Sequence, residues 1–140
     1  MSDDIDEARR ADGGPDGTPA PLGAPLTAAA IAERVRRAID EADLDEMAAL
    51  LSPDVHWGAP DDPRPPCRNR KQVLRWYAAG RAEGRRAAVT EVEVHGNCLL
   101  VGLRLDDGAE RWQVLRVGPD GVNDIRGYED RPGALERMPC

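Results

Sequence analysis

The fold is decided by the stretch Val89-Thr-Glu-Val-Glu-Val-His95-Gly-Asn-Cys98-Leu-Leu-Val-Gly-Leu-Arg-Leu105. Apolar and polar residues alternate up to His95, which is the period-two pattern of a half-buried strand. The pair Gly-Asn that follows fits a two-residue hairpin turn, so a second strand is predicted from Cys98 to Leu105. Two more strands follow, at Glu110–Val117 and Val122–Tyr128, and the sequence therefore predicts an antiparallel meander.

Upstream of the meander the apolar residues recur at the helical spacing of three and four. The pattern predicts helices at Ala28–Glu41, with Thr27 as N-cap, at Leu44–Leu51 and at Arg70–Glu83. A short extended piece is expected at Val55–Trp57. Helices followed by a run of strands indicate an α+β fold, with three N-terminal helices packed on one face of a curved antiparallel sheet.

Composition separates the first 25 residues from the rest of the chain. Residues 1–25 are rich in Asp, Gly, Pro and Ala and predict a disordered acidic tail, which leaves one domain at 26–140. The net charge of −7 argues against a nucleic-acid partner. No run approaches the roughly 18 apolar residues of a membrane span, and Met1–Glu7 is acidic where a secretory signal is basic, so we expect a cytoplasmic protein.

Motifs for metal, cofactor or nucleophile chemistry are weak. Three cysteines are an odd count and too few for a disulfide framework. His95 and Cys98 have a metal-like spacing, which His56 and Cys67 would have to complete. We interpret the pair as residues that flank the hairpin turn, and we expect no metal and no cofactor.

Three of the five aromatic residues fall where the third helix and the first strand face the sheet. These are Trp57, Trp76 and Tyr77. Such residues either fill a core or line a ligand pocket, and the sequence leaves both interpretations open.

Three segments in order resemble the nuclear transport factor 2-like superfamily in its SnoaL-like branch. They are Ile39-Asp-Glu-Ala-Asp-Leu-Asp45, Leu50-Leu-Ser-Pro-Asp-Val-His-Trp57 and Asp120-Gly-Val-Asn-Asp-Ile-Arg-Gly-Tyr-Glu-Asp-Arg131. The resemblance covers about residues 27–137. It implies a cone-shaped α+β barrel, a pocket between the helices and the concave sheet, and frequently a homodimer. Members include isomerases, epoxide hydrolases, polyketide cyclases, dehydratases and non-catalytic binding proteins.

The catalytic residues of two member families do not carry over to this chain. Alignment with ketosteroid isomerase places its oxyanion tyrosine on Val35, its general base on Ala59 and its second oxyanion donor on Gln113. Alanine cannot take a proton, so steroid-isomerase chemistry is not expected. Limonene epoxide hydrolase has its catalytic aspartate where this chain has Gly127, and its Arg-x-Asp pair has no counterpart in Leu99–Leu105.

The same alignment assigns the two faces of the sheet. If Ala59 and Gln113 face the pocket, alternation adds other residues to the inner face, and the aromatic residues of the third helix complete the lining. The predicted ligand-binding residues are Trp57, Trp76, Tyr77, Arg111, Gln113 and Asn123. The predicted outer-face residues are Trp112, Val114, Arg116, Asp124, Arg126 and Tyr128.

The sequence is compatible with three functions. The first is a protein that binds a small hydrophobic, apolar or aromatic molecule in this pocket. The second is an isomerase, cyclase or dehydratase for a polyketide- or steroid-like substrate, whose acid or base would be His56, Asp61, Asp62 or Tyr77, with Arg111 as electrophile. The third is a protein-interaction module that uses the outer face.

The apolar outer face also predicts an assembly. An exposed apolar patch of this kind marks an interface, so we expect a two-fold homodimer with Trp112 near the axis. The alternative is that Arg131–Cys140 folds back and covers the patch within one chain.

Overall fold

The structure is a computed structural model, and it describes residues 26–140. The predicted tail, 1–25, lies outside the described residues. Within these residues four helices and five strands follow one another. They are α1 (Ala28–Asp40), α2 (Leu44–Leu50), β1 (Leu51–Gly58), α3 (Arg70–Ala82), β2 (Ala87–His95), β3 (Cys98–Leu105), β4 (Glu110–Gly118), β5 (Gly121–Tyr128) and α4 (Arg131–Arg137). Their bounds lie close to the predicted ones, except that β1 begins at Leu51 rather than Val55 and that α4 was not predicted.

The sheet is mixed, which corrects the prediction of an antiparallel sheet. Its strand order is β1-β5-β4-β3-β2. β2 to β5 form the predicted antiparallel meander, whereas β1 lies parallel to β5, with Leu51 opposite Val122 and Trp57 opposite Ile125. Antiparallel neighbours are joined by short turns, but β1 reaches β5 only through a long connection, and local periodicity carries no information on its direction.

The arrangement of helices also differs from the prediction of three N-terminal helices. α1 and α2 precede the sheet, α3 lies between β1 and β2, and α4 follows β5. α1 begins as expected, because the Thr27 hydroxyl accepts a hydrogen bond from the Ala30 amide at 3.2 Å. The Arg34 guanidinium ties α1 to α2 by two hydrogen bonds, of 2.9 and 3.1 Å, to the Glu46 carboxylate.

The main core lies between the helices and the inner face of the sheet. α1 contributes the helical stripe that the sequence indicates, with Ile31 and Val35 both buried. Alternate residues of β3, Leu99 and Val101, are fully buried against it. The core also includes residues of α2, α3, β1, β4 and β5, so one core holds all three helices on this face.

The outer face of the sheet is covered by α4 and by a disulfide. Ala134 of α4 is fully buried against Cys98, Leu100 and Val114. Cys98 is bonded to Cys140, 42 residues further along the chain. The alternative prediction, that Arg131–Cys140 folds back over the apolar patch, is therefore the one observed. A second copy of the chain is not needed to cover this face. The sequence predicted no disulfide framework, and the count of three did not reveal that Cys98 and Cys140 meet on this face.

Charged side chains fix the start of α4 to the edge strand β2. Arg131 donates to Glu91 at 3.0 Å and to Glu93 at 2.5 Å, while His95 lies 3.0 Å from Glu93. Side-chain hydrogen bonds with Glu91, His95 and Arg131 lower the pKa of Glu93 to about 2. We call Glu91, Glu93, His95 and Arg131 the Arg131 network.

Candidate ligand cavity

The three predicted pocket aromatics form one cluster. The ring centroid of Trp57 on β1 lies 4.7 Å from that of Trp76 and 5.1 Å from that of Tyr77. Trp76 and Tyr77 are neighbours on α3 with centroids 5.8 Å apart. Edge and tilted contacts at these distances are favourable for aromatic pairs. Trp76 nevertheless leaves 53% of its surface exposed, so the cluster is not closed toward solvent.

A cavity of about 290 Å³ opens beside Trp76, where α1, α2 and α3 meet the ends of β2 and β3. We call it the helix-end cavity. Its lining is mostly apolar. The main apolar side chains are those of Ile39, Leu44, Met47, Trp76, Tyr77 and Leu105.

A second, smaller cavity lies deeper, between the helices and the inner face of the sheet. This core cavity measures about 30 Å³, and Gln113, Leu115 and Ile125 form its sheet side. Ile39, Met47 and Tyr77 line both cavities. The two spaces are therefore adjacent and share Tyr77 as a wall residue.

Tyr77 and Gln113 supply the polar atoms of the core cavity. Gln113 is only 8% exposed, and burial raises the pKa of the Tyr77 hydroxyl, which therefore stays protonated at neutral pH. Both groups can donate a hydrogen bond to an acceptor in the cavity.

The other two predicted binding residues lie elsewhere. Arg111 is on the inner side of β4 but exposed, and its Nη1 donates to the carbonyl of Glu110 at 2.9 Å. Asn123 sits at the irregularity between β4 and β5, beside Gly118, where its buried Oδ1 has no partner among the described residues. Neither residue lines the helix-end cavity or the core cavity.

The acids and bases considered for an enzyme are also separated from these cavities, apart from Tyr77. His56 is exposed and lies opposite Asp124 in the β1–β5 register. Asp61 and Asp62 border a groove of about 390 Å³ on the outer side of the sheet, where Asp61 pairs with Arg137. No carboxylate or imidazole lines either inner cavity in the described part of the chain.

Sequence reasoning missed a basic contribution to the helix-end cavity. Arg81, Arg85 and Arg86, at the end of α3 and just after it, belong to its lining. Arg81 follows Tyr77 by four residues on the helix, so the two side chains share a face. That spacing is the signal that could have placed Arg81 at the mouth.

Residues 26–140 show neither a metal site nor a membrane-spanning helix. No group of three or more His, Cys, Asp or Glu side chains is placed to hold a metal ion. No helix in this region combines the length and the apolar character needed to cross a membrane.

Several solved structures of other proteins superpose on this chain and share its fold. A SnoaL-like protein of unknown function from Burkholderia thailandensis superposes with a TM-score of 0.61 at 18% identity, covering 76% of this chain and 99% of the other. A candidate ketosteroid isomerase from Kribbella flavida gives 0.58 at 23% identity, covering 76% and 84%. An LEH-like epoxide hydrolase of M. tuberculosis gives 0.54 at 18%, again covering 76% and 84%. Identities this low establish a shared fold and leave the activity open.

The sequence itself identifies the family. No characterised protein matches the chain closely enough to transfer an activity. The family model for the SnoaL-like domain matches residues 32–123, from α1 to the start of β5. This match spans well over half of the chain and confirms the resemblance seen in the three sequence segments. The chain belongs to the SnoaL-like domain family.

Proposed function

We propose that this protein binds a small apolar molecule in the helix-end cavity, with one end of the ligand reaching past Tyr77 into the core cavity. The observation that carries the proposal is a cavity of about 290 Å³ with an apolar lining, beside a tryptophan that is 53% exposed. Together the two cavities just reach the lower end of the roughly 300–1,000 Å³ typical of small-molecule sites. Covering the exposed face of Trp76 would add favourable burial of aromatic surface.

The polar groups of the core cavity suit a carbonyl or hydroxyl group at the inner end of the ligand. Its volume of about 30 Å³ has room for a group of one or two heavy atoms. Gln113 and the protonated Tyr77 would donate hydrogen bonds to an oxygen there. Gln113 stands at the position that the resemblance to ketosteroid isomerase assigns to an oxyanion donor.

Binding is favoured over catalysis by the chemistry of the lining. General acid–base catalysis needs a group that takes a proton near neutral pH. Of the four candidates, His56, Asp61, Asp62 and Tyr77, Tyr77 alone reaches the cavities, and its raised pKa makes it a donor rather than a base. Arg111, the candidate electrophile, is directed to solvent.

A ligand screen tests this proposal. Aromatic polyketide, steroid and fatty-acid fragments are added to the protein while thermal unfolding and tryptophan fluorescence are followed. A ligand that binds the native state raises Tm, because it adds RT ln(1 + [L]/Kd) to the free energy of unfolding. Leu44→Trp, which places a bulky ring in the helix-end cavity, should reduce the shift, whereas Arg116→Met in the outer groove should leave it unchanged. The proposal is overturned if all three ligand classes leave Tm unchanged.

We also propose, on the sequence and the family resemblance, a homodimer in the cytoplasm. α4 covers Leu100 and Val114 of the face first assigned to the dimer, so the contact would lie on the remaining surface. Light scattering decides between a mass near 15.2 kDa, which excludes the dimer, and twice that value.

A further inference from the structure

We infer that the solvent side of α3 docks this protein on an anionic lipid surface. This inference goes beyond the proposed function and does not depend on it. It begins from the distribution of charge along the chain. Residues 63–86 hold eight basic residues and one acidic residue, Glu83, so this segment carries +7 in a chain whose net charge is −7. The rest of the chain therefore carries −14, and the charge of the protein is strongly asymmetric.

α3 is held to the rest of the fold along one side. Val73 and Gly80 are its buried residues. At its first turn the Arg70 Nη1 donates to the carbonyl oxygens of Ala48 and Leu51, at 3.4 and 3.3 Å. The opposite side of the helix faces solvent on a fixed support, so the fold needs no rearrangement to present it to a partner.

The solvent side of α3 carries three cations, those of Arg68, Lys71 and Arg75. Lys71 and Arg75 are exposed and lie about one helical turn apart. Arg68 is also exposed, and its backbone amide donates to the Gln72 side chain at 2.7 Å, which fixes it at the start of the helix. Among residues 26–140 none of the three forms an ion pair. All three can therefore approach the phosphates of a lipid surface.

Trp76 supplies an apolar contact beside these cations. It follows Arg75 on the helix, leaves 53% of its surface exposed, and borders the helix-end cavity. A tryptophan is favoured at a membrane interface, where its apolar rings meet lipid and its N–H group meets the headgroup region. We call Arg68, Lys71, Arg75 and Trp76 the α3 face.

The combination of cations with an apolar opening favours lipid over a soluble polyanion. An acidic protein or a nucleic acid would neutralise the cations but would place charged groups against Trp76 and the mostly apolar mouth of the helix-end cavity. An anionic lipid layer offers phosphates at the level of the cations and hydrocarbon directly below them. The same layer repels the negative remainder of the protein, which orients the α3 face toward the lipid.

Vesicle binding of the full chain tests the inference. Co-sedimentation is measured with vesicles of phosphatidylcholine alone and with vesicles that also contain phosphatidylglycerol, which is anionic. We expect binding to the anionic vesicles at low ionic strength, a loss of that binding as salt is raised, and no binding to the neutral vesicles. Lys71→Gln combined with Arg75→Gln should weaken binding about 25-fold, since each cation near an anionic surface contributes about fivefold.

A second double variant, matched in net charge, is the control. Arg104→Gln combined with Arg116→Gln removes two exposed arginines from the outer side of the sheet and should bind the anionic vesicles as the wild type does. All four substituted side chains are exposed, so both double variants should keep the wild-type Tm. Brominated lipids locate the contact: they should quench the tryptophan fluorescence of the wild type and quench that of Trp76→Leu much less.

Three results would overturn the inference. The first is equal binding to neutral and anionic vesicles, or binding to neither. The second is an equal loss of binding in the two double variants. The third is binding of a polyglutamate peptide in place of the anionic vesicles, which would identify an acidic protein as the partner. The proposed function is judged separately, by the Tm shifts in the ligand screen.

Discussion

Removing the Cys98–Cys140 disulfide should cost this protein a large part of its stability. The bond closes a loop with a sequence separation of 42 residues. Loop-closure entropy for a loop of that length amounts to about 4 kcal/mol at 25 °C. The substitution to make is Cys140→Ser, because Cys140 is exposed, whereas Cys98 is fully buried and a serine there would also bury a hydroxyl group.

Denaturant unfolding with and without a reductant measures the effect. The wild type should lose about 4 kcal/mol in free energy of unfolding on reduction, and Cys140→Ser should show the lower stability under both conditions. Cys67→Ser, which removes the free cysteine, should keep the wild-type response to the reductant. A thiol count on the denatured, unreduced protein should find one free cysteine. A loss below about 1 kcal/mol, or three free thiols in that sample, would refute the reasoning.

Two further perturbations test the turn before β5 and the outer face. Gly121→Ala should lower the free energy of unfolding by about 2–4 kcal/mol, which chemical denaturation measures. The reason is that φ is +120° at this residue and that the new Cβ would lie 2.4 Å from the Leu50 carbonyl oxygen of α2. The second concerns Glu93, whose pKa hydrogen bonds with Glu91, His95 and Arg131 lower to about 2. Its contribution to stability is complete above the unfolded pKa near 4.5 and is lost as the pH falls toward 2, so acid unfolding of Glu93→Gln should depend less on pH than that of the wild type.

Each of these has a matched control. Gly108→Ala also changes a glycine with positive φ, at +87°, but nothing lies within 4 Å of the new Cβ, so the cost should be only about 1–2 kcal/mol. Glu136→Gln, on the exposed side of α4, should leave the acid limb of the wild type intact. Equal losses at the two glycines, or identical acid limbs for Glu93→Gln and wild type, would contradict the structural explanation.

Local signals in the sequence predicted the individual elements well. Gly96-Asn97 predicted the hairpin, and β3 spans Cys98–Leu105 as expected, because the turn chemistry and the period-two pattern agree there. The direction of β1 was not predictable in this way, since its only strand partner in the described sheet, β5, is far along the chain. α4 was missed because Arg131-Pro-Gly-Ala134 lacks helix-favouring residues, and packing of Ala134 on the outer face offsets that lack.

In the candidate site, too, the sequence predicted what depends on local spacing and missed what depends on the tertiary fold. Periodicity predicted that Trp57, Trp76 and Tyr77 face the same space, because position on a strand or helix fixes the direction of each side chain. Their rings are in contact in the structure. Alternation also put Arg111 on the inner side of β4, but it says nothing about how far along the strand the cavity extends. Arg85 lies beyond the last helical residue, so its orientation depends on the tertiary fold and was not readable from spacing.

The parallel pairing of β1 with β5 has a consequence for the order in which the chain folds. The turns between β2 and β5 join strands that are neighbours in sequence, so each of these pairs closes a short loop. Leu51 and Val122, by contrast, meet across about 70 residues, and loops of that length close later and at a greater entropic cost. We therefore expect the meander to form first, with β1 as the last strand to join. During synthesis β1 leaves the ribosome early and must wait for β5, with its edge unpaired.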